Sequence, residues 1–224
     1  HCSSRQTQRA MDQPSLFDNE PDTPTYQTFV LGDSKIQYVA NAFTLQEADR
    51  LFQGLLNHIP WQTASLSIAG NEHKLPRLQC WMADEGRTYS YSGLKLNPHP
   101  WYPDVLSIKA RLKQLSGHSF NSVLLNLYRD GSDSVSWHAD DEIELGTNPV
   151  IASVSLGAER ILEFKPKLNL KVPKKRIVLG NGSILIMGKN LQNNWLHQLP
   201  KLSGYIAPRI SLTFREHLFC GTQK

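Results

Sequence analysis

From residue 120 onward the chain is divided into short apolar or alternating runs at 122–128, 150–156, 160–164, 176–179, 183–187 and 209–215, separated by Gly, Pro, Asn and Asp clusters. Runs this short, punctuated this often, suit antiparallel strands closing into a sandwich or barrel of the jelly-roll kind. Two amphipathic segments precede them. Thr44 with Glu47 three residues on has the form of a capping box, and Leu45, Ala48, Leu51, Phe52, Leu55, Leu56 and Ile59 then repeat on one face until Pro60 stops the helix. A second helix is expected from Pro103 to Gly117, with Val105, Ile108, Leu112 and Leu115 inward. The expected fold class is α+β, a jelly-roll core with buttressing N-terminal helices.

At 224 residues and 40% hydrophobic content the chain can bury one substantial core. Residues 1–25 are polar, with few apolar residues beyond Leu16 and Phe17, so a disordered tail is expected ahead of one domain over residues 26–224. Met11 could be a native start. Within the tail, Gln13-Pro14-Ser15-Leu16-Phe17 resembles the short peptide by which repair proteins dock on a sliding clamp, a match that five residues also reach by chance. Cys2, Cys80 and Cys220 are odd in number and form no CxxC pair, which speaks against a disulfide framework or a cysteine zinc site. No apolar run approaches the ~20 residues of a membrane helix. The expectation is a soluble intracellular monomer, cytoplasmic in a bacterium and nuclear in a eukaryote. A formal charge of +4 permits an anionic partner without requiring one.

The chemistry concentrates in Asn126 to Glu142. In an extended chain residues two apart share a face, so His138 and Asp140 can converge on one cation while Trp137 and Ala139 point away. His197, after the run 183–187, could complete a set of two histidines and one carboxylate, which leaves other metal positions open, as in non-haem iron oxygenases. Among eight histidines such a triplet alone is weak evidence, and a zinc hydrolase could use the same set. The run 209–215 adds a second signal. Ile210, Leu212 and Phe214 occupy one face, and Arg209, Ser211, Thr213 and Arg215 the other. That polar face could be solvated at a sheet edge, or it could line a cavity where guanidinium groups grip carboxylates. Two arginines suit a dicarboxylic acid, and Asn126 and Tyr128 offer an amide and a phenol from one strand face.

Together with Pro76-Arg77, Thr88 to Gly93 and Ile151 to Gly157, these segments resemble the AlkB family of dioxygenases, most closely its branch acting on duplex DNA, over nearly all the chain after the tail. The resemblance implies a double-stranded β-helix, with iron(II) held by His138, Asp140 and His197. It implies 2-oxoglutarate held at one carboxylate by Arg209, Ser211 and Tyr128 and at the other by Arg215 and Asn126, with Thr213 on the same face. Dioxygen and 2-oxoglutarate would be consumed to hydroxylate an N-alkyl carbon, which then leaves as an aldehyde. The implied function is repair of alkylated DNA bases such as 1-methyladenine and 3-methylcytosine, single- or double-stranded. RNA demethylation, or hydroxylation of a protein, is the alternative, and a binding module that has kept only the fold is the reading furthest from catalysis. Residues 60–100 would recognise the nucleotide. There Arg77, Tyr89, Tyr91 and Ser92, with Asp141 and Glu142, would contact the base, which must leave the stack to reach the metal. Tyr89 and Tyr91 could equally be core aromatics of a strand. Lys165 to Arg176, six basic residues in twelve, would grip phosphates. Two departures from the family stand out. Ser211 replaces the usual Asn between the arginines, and Ala69 sits where the duplex-acting relative carries an aromatic wedge.

Overall fold

The computed structural model describes residues 23–85 and 98–218 in full and the backbone of 89–91 and 94–96. The clamp-like segment Gln13–Phe17 and Ser92 lie outside the described residues. The first half of the chain forms β1 (Tyr26–Leu31), β2 (Ser34–Val39), α1 (Leu45–His58), β3 (Gln62–Ile68), β4 (Asn71–Ala83), β5 (Tyr89–Tyr91), β6 (Leu94–Leu96) and α2 (Pro103–Ser116). The second forms β7 (Ser122–Tyr128), β8 (Val135–His138), β9 (Ile151–Gly157), β10 (Arg160–Pro166), β11 (Lys175–Leu179), β12 (Ser183–Met187), α3 (Leu191–Asn194), β13 (Trp195–Leu199) and β14 (Arg209–Arg215).

Antiparallel pairing builds an eight-stranded sheet, ordered β1-β2-β12-β9-β14-β7-β4-β3, and a four-stranded sheet, ordered β11-β10-β13-β8. This is the expected jelly roll. The large sheet is covered on one face by the helices, because its central strands are apolar there: Val123, Leu125 and Leu127 of β7 and Ile210, Leu212 and Phe214 of β14 pack with Leu51, Leu55, Ile108 and Leu112. Its other face meets the small sheet, and Ile36, Leu162, Phe164 and Leu185 fill part of the space between them.

Thr44 caps α1 as expected: its hydroxyl accepts from the Glu47 N–H at 3.1 Å, and the Glu47 carboxylate accepts from the Thr44 N–H at 3.2 Å. Gly117 ends α2 in the left-handed region, at φ 74°. Leu45 departs from expectation. It is 69% exposed, since it takes the first helical position, before Ala48, the first residue of α1 to reach the core. The strands β1 to β4 were not among the runs singled out from the sequence. Much of β3 and the start of β4 is exposed or half-buried on both faces, so no hydrophobic alternation marks them. Among the described residues no helix is long and apolar enough to cross a membrane.

Gly157 ends β9 opposite Arg209, at φ 88°, and a Cβ there would lie 2.6 Å from the Pro208 carbonyl oxygen and 2.7 Å from the Phe52 ring. Gly32 shares the left-handed conformation, at φ 61°, but has open space around it. In urea denaturation Gly157→Ala should therefore cost about 3 kcal/mol, from backbone strain plus overpacking, and Gly32→Ala only about 1 kcal/mol.

Candidate active site

Where the apolar filling stops, the two sheets enclose a cleft lined by Asn126, His138, Asp140, His197, Arg209 and Arg215. His138 and His197 are brought together by register. They are directly opposed across β8 and β13, with ring centroids 4.2 Å apart. The pairing then slips, Leu199 facing Val135, so β8 carries an extra residue that re-aims its end. Asp140 arrives by another route than strand alternation. β8 stops at His138, and Asp140 belongs to the following loop, held by its own N–H donating to Gln192 Oε1 at 2.9 Å. His197, expected after a strand, is the inward residue of β13 itself, between buried Trp195 and Leu199.

One ligand atom from each of His138, Asp140 and His197 lies within 4.8 Å of the others, with the Asp140 oxygens 3.9 Å from both imidazole Nε2 atoms. The His138 Nδ1 lies 2.7 Å from the Ser136 carbonyl oxygen. A carbonyl can only accept, so Nδ1 carries a proton and Nε2 is the nitrogen turned toward Asp140. Burial, helped by the neighbouring His138 and Arg215 and opposed by Asp140, pushes the His197 imidazole down to about 3, so it is neutral near pH 7. For the Asp140 carboxyl, burial acts upward, but the Arg215 guanidinium, donating at 2.9 Å, and the two imidazoles hold it well below the usual carboxylate range. A neutral His197 nitrogen and an anionic Asp140 oxygen are the protonation states that metal ligation needs.

The opposite wall of the cleft is β14. Its polar face is buried, with Arg209 2% exposed, Ser211 4% and Arg215 5%, and Thr213 half-buried in the lining. The closed sandwich thus decides against a solvated edge. Arg209 donates to Ser155 Oγ at 2.8 Å and lies 5.3 Å from the Tyr128 ring centroid, yet its Nε has no hydrogen-bond partner and no carboxylate among the described residues pairs with it. Burial lowers its pKa to about 10, so it remains a cation. A buried cation without a counter-charge calls for an anion. Asn126, opposite Ser211 in the ladder, accepts at Oδ1 from Gln79 Nε2 at 3.0 Å, which leaves its amide NH2 to donate. The donor set fits a metal with open positions and, beside it, a dicarboxylate.

The loop leading to His138 is braced. Arg129 holds Asp133 through Nε at 2.8 Å and Nη2 at 3.0 Å. The buried Arg160 guanidinium donates to the carbonyls of Asp130, Asp133 and Pro200, and Arg77 donates to the Ser134 carbonyl at 3.0 Å while lining the cleft. Of the other residues expected in the site, Asp141 is exposed with a carboxylate oxygen 3.3 Å from Lys167 Nζ, and Glu142 is half-buried next to it. Tyr89 and Tyr91 lie on β5, and their side chains are outside the described residues. Gln79, Ser155, Arg160 and Gln192 were not among the expected site residues. Ser155 could have been found, since it lies in the alternating 150–156 run; the others carry no local signal.

A family model described as the 2OG-Fe(II) oxygenase superfamily matches residues 35–215. The bovine protein named alpha-ketoglutarate-dependent dioxygenase alkB homolog 3 is 39% identical over 191 residues, covering 82% of this chain and 66% of that protein. The human DNA oxidative demethylase ALKBH2 is 40% identical over 185 residues, covering 79% of this chain and 71% of that one. The chain thus spans about two thirds of the length of these relatives. The solved structure of OsALKBH1 superposes with a TM-score of 0.57 at 16% identity over 86% of this chain and 100% of that one, a likeness of fold.

The depressed His197 pKa sets a pH dependence. An imidazole that binds its proton more weakly folded than unfolded contributes stability that is intact above its ordinary value of 6.5 and is lost as pH falls from there toward about 3. The depressed Asp140 carboxyl adds its loss only below about pH 4. Thermal unfolding of chelator-treated protein should therefore show Tm falling between about pH 6.5 and pH 4, and His197→Gln should flatten that decline.

Proposed function

The chain belongs to the 2OG-Fe(II) oxygenase superfamily and, within it, to the AlkB family, and on that premise we propose that it removes small alkyl groups oxidatively from the bases of DNA. As a member of the superfamily it is a dioxygenase that uses iron(II), 2-oxoglutarate and dioxygen. The observation that carries the substrate-level reading is the facing of two walls, the His138–Asp140–His197 cluster on one and the uncompensated Arg209 cation on the other.

In this reading His138, Asp140 and His197 hold the iron, Arg209, Ser211 and Tyr128 hold the far carboxylate of 2-oxoglutarate, and Arg215 with Asn126 holds the carboxylate beside the keto group. Bound there, iron would supply the oxidation of the N-alkyl carbon by dioxygen, one oxygen atom entering that carbon and the other entering succinate as 2-oxoglutarate loses carbon dioxide. Arg215 has two tasks, since it also donates to Asp140 and so ties the orientation of a metal ligand to that of the cosubstrate. Gln192 fixes the same ligand from its backbone side. Arg77 keeps the Ser134 loop in place at the wall of the cleft.

The name DNA oxidative demethylase, carried by several relatives, supports DNA as the substrate. A base inside the duplex cannot reach a cleft between two sheets, so it is extruded, at a cost of about a few kcal/mol that is smaller at damaged pairs. Tyr89, Tyr91 and Ser92 would meet it, with Asp141 and Glu142 at its edge. Residues 26–224 act as one domain, with 60–100 as the nucleotide-recognition segment. The lysines of the β10–β11 connection supply backbone grip, and Lys165 and Lys174 stand 4.4 and 5.4 Å from the Trp137 ring centroid, which orders them. We keep Gln13–Phe17 as a candidate clamp peptide on its sequence alone, and place a monomeric enzyme wherever the genome is kept.

Mass spectrometry of oligonucleotides bearing 1-methyladenine or 3-methylcytosine, incubated with iron, ascorbate and 2-oxoglutarate, should show loss of the methyl group, and methylated RNA or no nucleic acid should stimulate 2-oxoglutarate turnover less. His138→Ala should abolish it. Arg209→Ala should raise the KM for 2-oxoglutarate at least about tenfold, with Arg209→Lys intermediate because an ammonium cannot make the paired hydrogen bonds. DNA affinity should fall steeply between about 50 and 200 mM salt, and less steeply after Lys171→Gln/Lys174→Gln.

A further inference from the structure

We infer that Leu168 and Leu170, at the tip of the β10–β11 connection, form an apolar wedge that enters the base stack of duplex DNA beside the extruded nucleotide. The inference rests on the DNA-dealkylase reading. Leu168 is 95% exposed and Leu170 83%, more than any other leucine among the described residues. They are held out by a closed turn. The Val172 N–H donates to the Asn169 carbonyl and the Lys171 N–H to the Asn169 side chain, both at 3.2 Å. The tip stands at the rim of the cleft, because Lys167 is tied on one side to Asp141, which follows the ligand Asp140, and by its N–H to the Asn194 carbonyl at 2.9 Å.

Exposed apolar side chains flanked by Lys167 and Lys171 are complementary to an anionic exterior over an apolar interior, which a stacked duplex offers. The competing tip is the β3–β4 hairpin. There Ala69 and Gly70 form a two-residue turn with φ of 50° and 81°, and Ala69 offers only a methyl group. Ile68 beside it is 59% exposed, but the nearest cation on that hairpin is Lys74, opposite Ser65 in the ladder and four residues from Gly70, whereas Lys167 and Lys171 each adjoin one of the leucines. A gap left by an extruded base needs more apolar volume than a methyl, and the two leucines supply it.

The test is a Leu168→Ser/Leu170→Ser variant, assayed on one methylated oligonucleotide offered single-stranded and as a duplex, with 2-aminopurine beside the lesion to report unstacking. Duplex demethylation should fall about tenfold or more and the fluorescence rise on binding should disappear, while single-strand demethylation stays within about twofold and Leu168→Met/Leu170→Met keeps duplex activity. Equal losses on both substrates, an unchanged duplex rate, a shift in oligomeric state on sizing, or selective duplex loss in Ile68→Ser instead would overturn the wedge. Wild-type protein that demethylates single strands but no duplex also overturns it, and leaves the dealkylase reading standing. Protein that turns over 2-oxoglutarate but demethylates neither substrate removes both.

Discussion

Two guanidinium groups buried between two β-sheets are the constraint to which the rest of the structure answers. Removing a charge from water is costly unless other groups take over its solvation. The solutions at Arg215 and Arg209 differ. Arg215 is neutralised by Asp140, and that contact also keeps the carboxylate ionised and turned toward the imidazoles. Arg209 has a hydroxyl and an aromatic face but no anion among the described residues, so its charge is solvated only in part until a carboxylate arrives. Stability and ligand affinity are thus linked through one side chain.

Such an arrangement needs a rigid frame. β7 and β14 are buried on both faces, with apolar side chains against the helices and polar ones toward the cleft, so neither strand can slip by a residue without exchanging its core for its site. A third buried arginine, Arg160, gathers carbonyls from the loop before His138 and from Pro200 after β13, joining the two approaches to the metal cluster. It also lies 5.7 Å from the Tyr128 ring centroid, and Arg209 lies 5.3 Å from the same ring. Frame and site share that aromatic.

The rim follows different physics. Around the cleft mouth the charges are exposed and screened, as in the Asp141–Lys167 pair, and on the proposed reading their worth lies in attracting and orienting a polyanion. On that reading a small buried cosubstrate is gripped by fixed, dry donors inside, and a long charged substrate is met outside by lysines and exposed leucines. The one fold keeps the two tasks on separate surfaces.

Several of these features were legible without coordinates. The capping box at Thr44, the alternation in 209–215 and the short apolar runs after residue 120 are local patterns, set by helix and strand periods, and they survive as α1, β14 and the sandwich. The convergence of His138, Asp140 and His197 was suggested by spacing only weakly, among eight histidines, and more strongly by the family resemblance. Tertiary structure decided which way these patterns face. Alternation divides a strand into two sides but does not say which side meets water, and only closure of the second sheet buried Arg209 and Arg215. Contacts between distant segments left no local trace: Gln79 beside Asn126, Gln192 holding the loop residue Asp140, and the register shift between β8 and β13. Sequence determines the chemistry and the periodicity because both are properties of neighbouring residues. Orientation and second partners belong to the fold, because they depend on residues brought together from far along the chain.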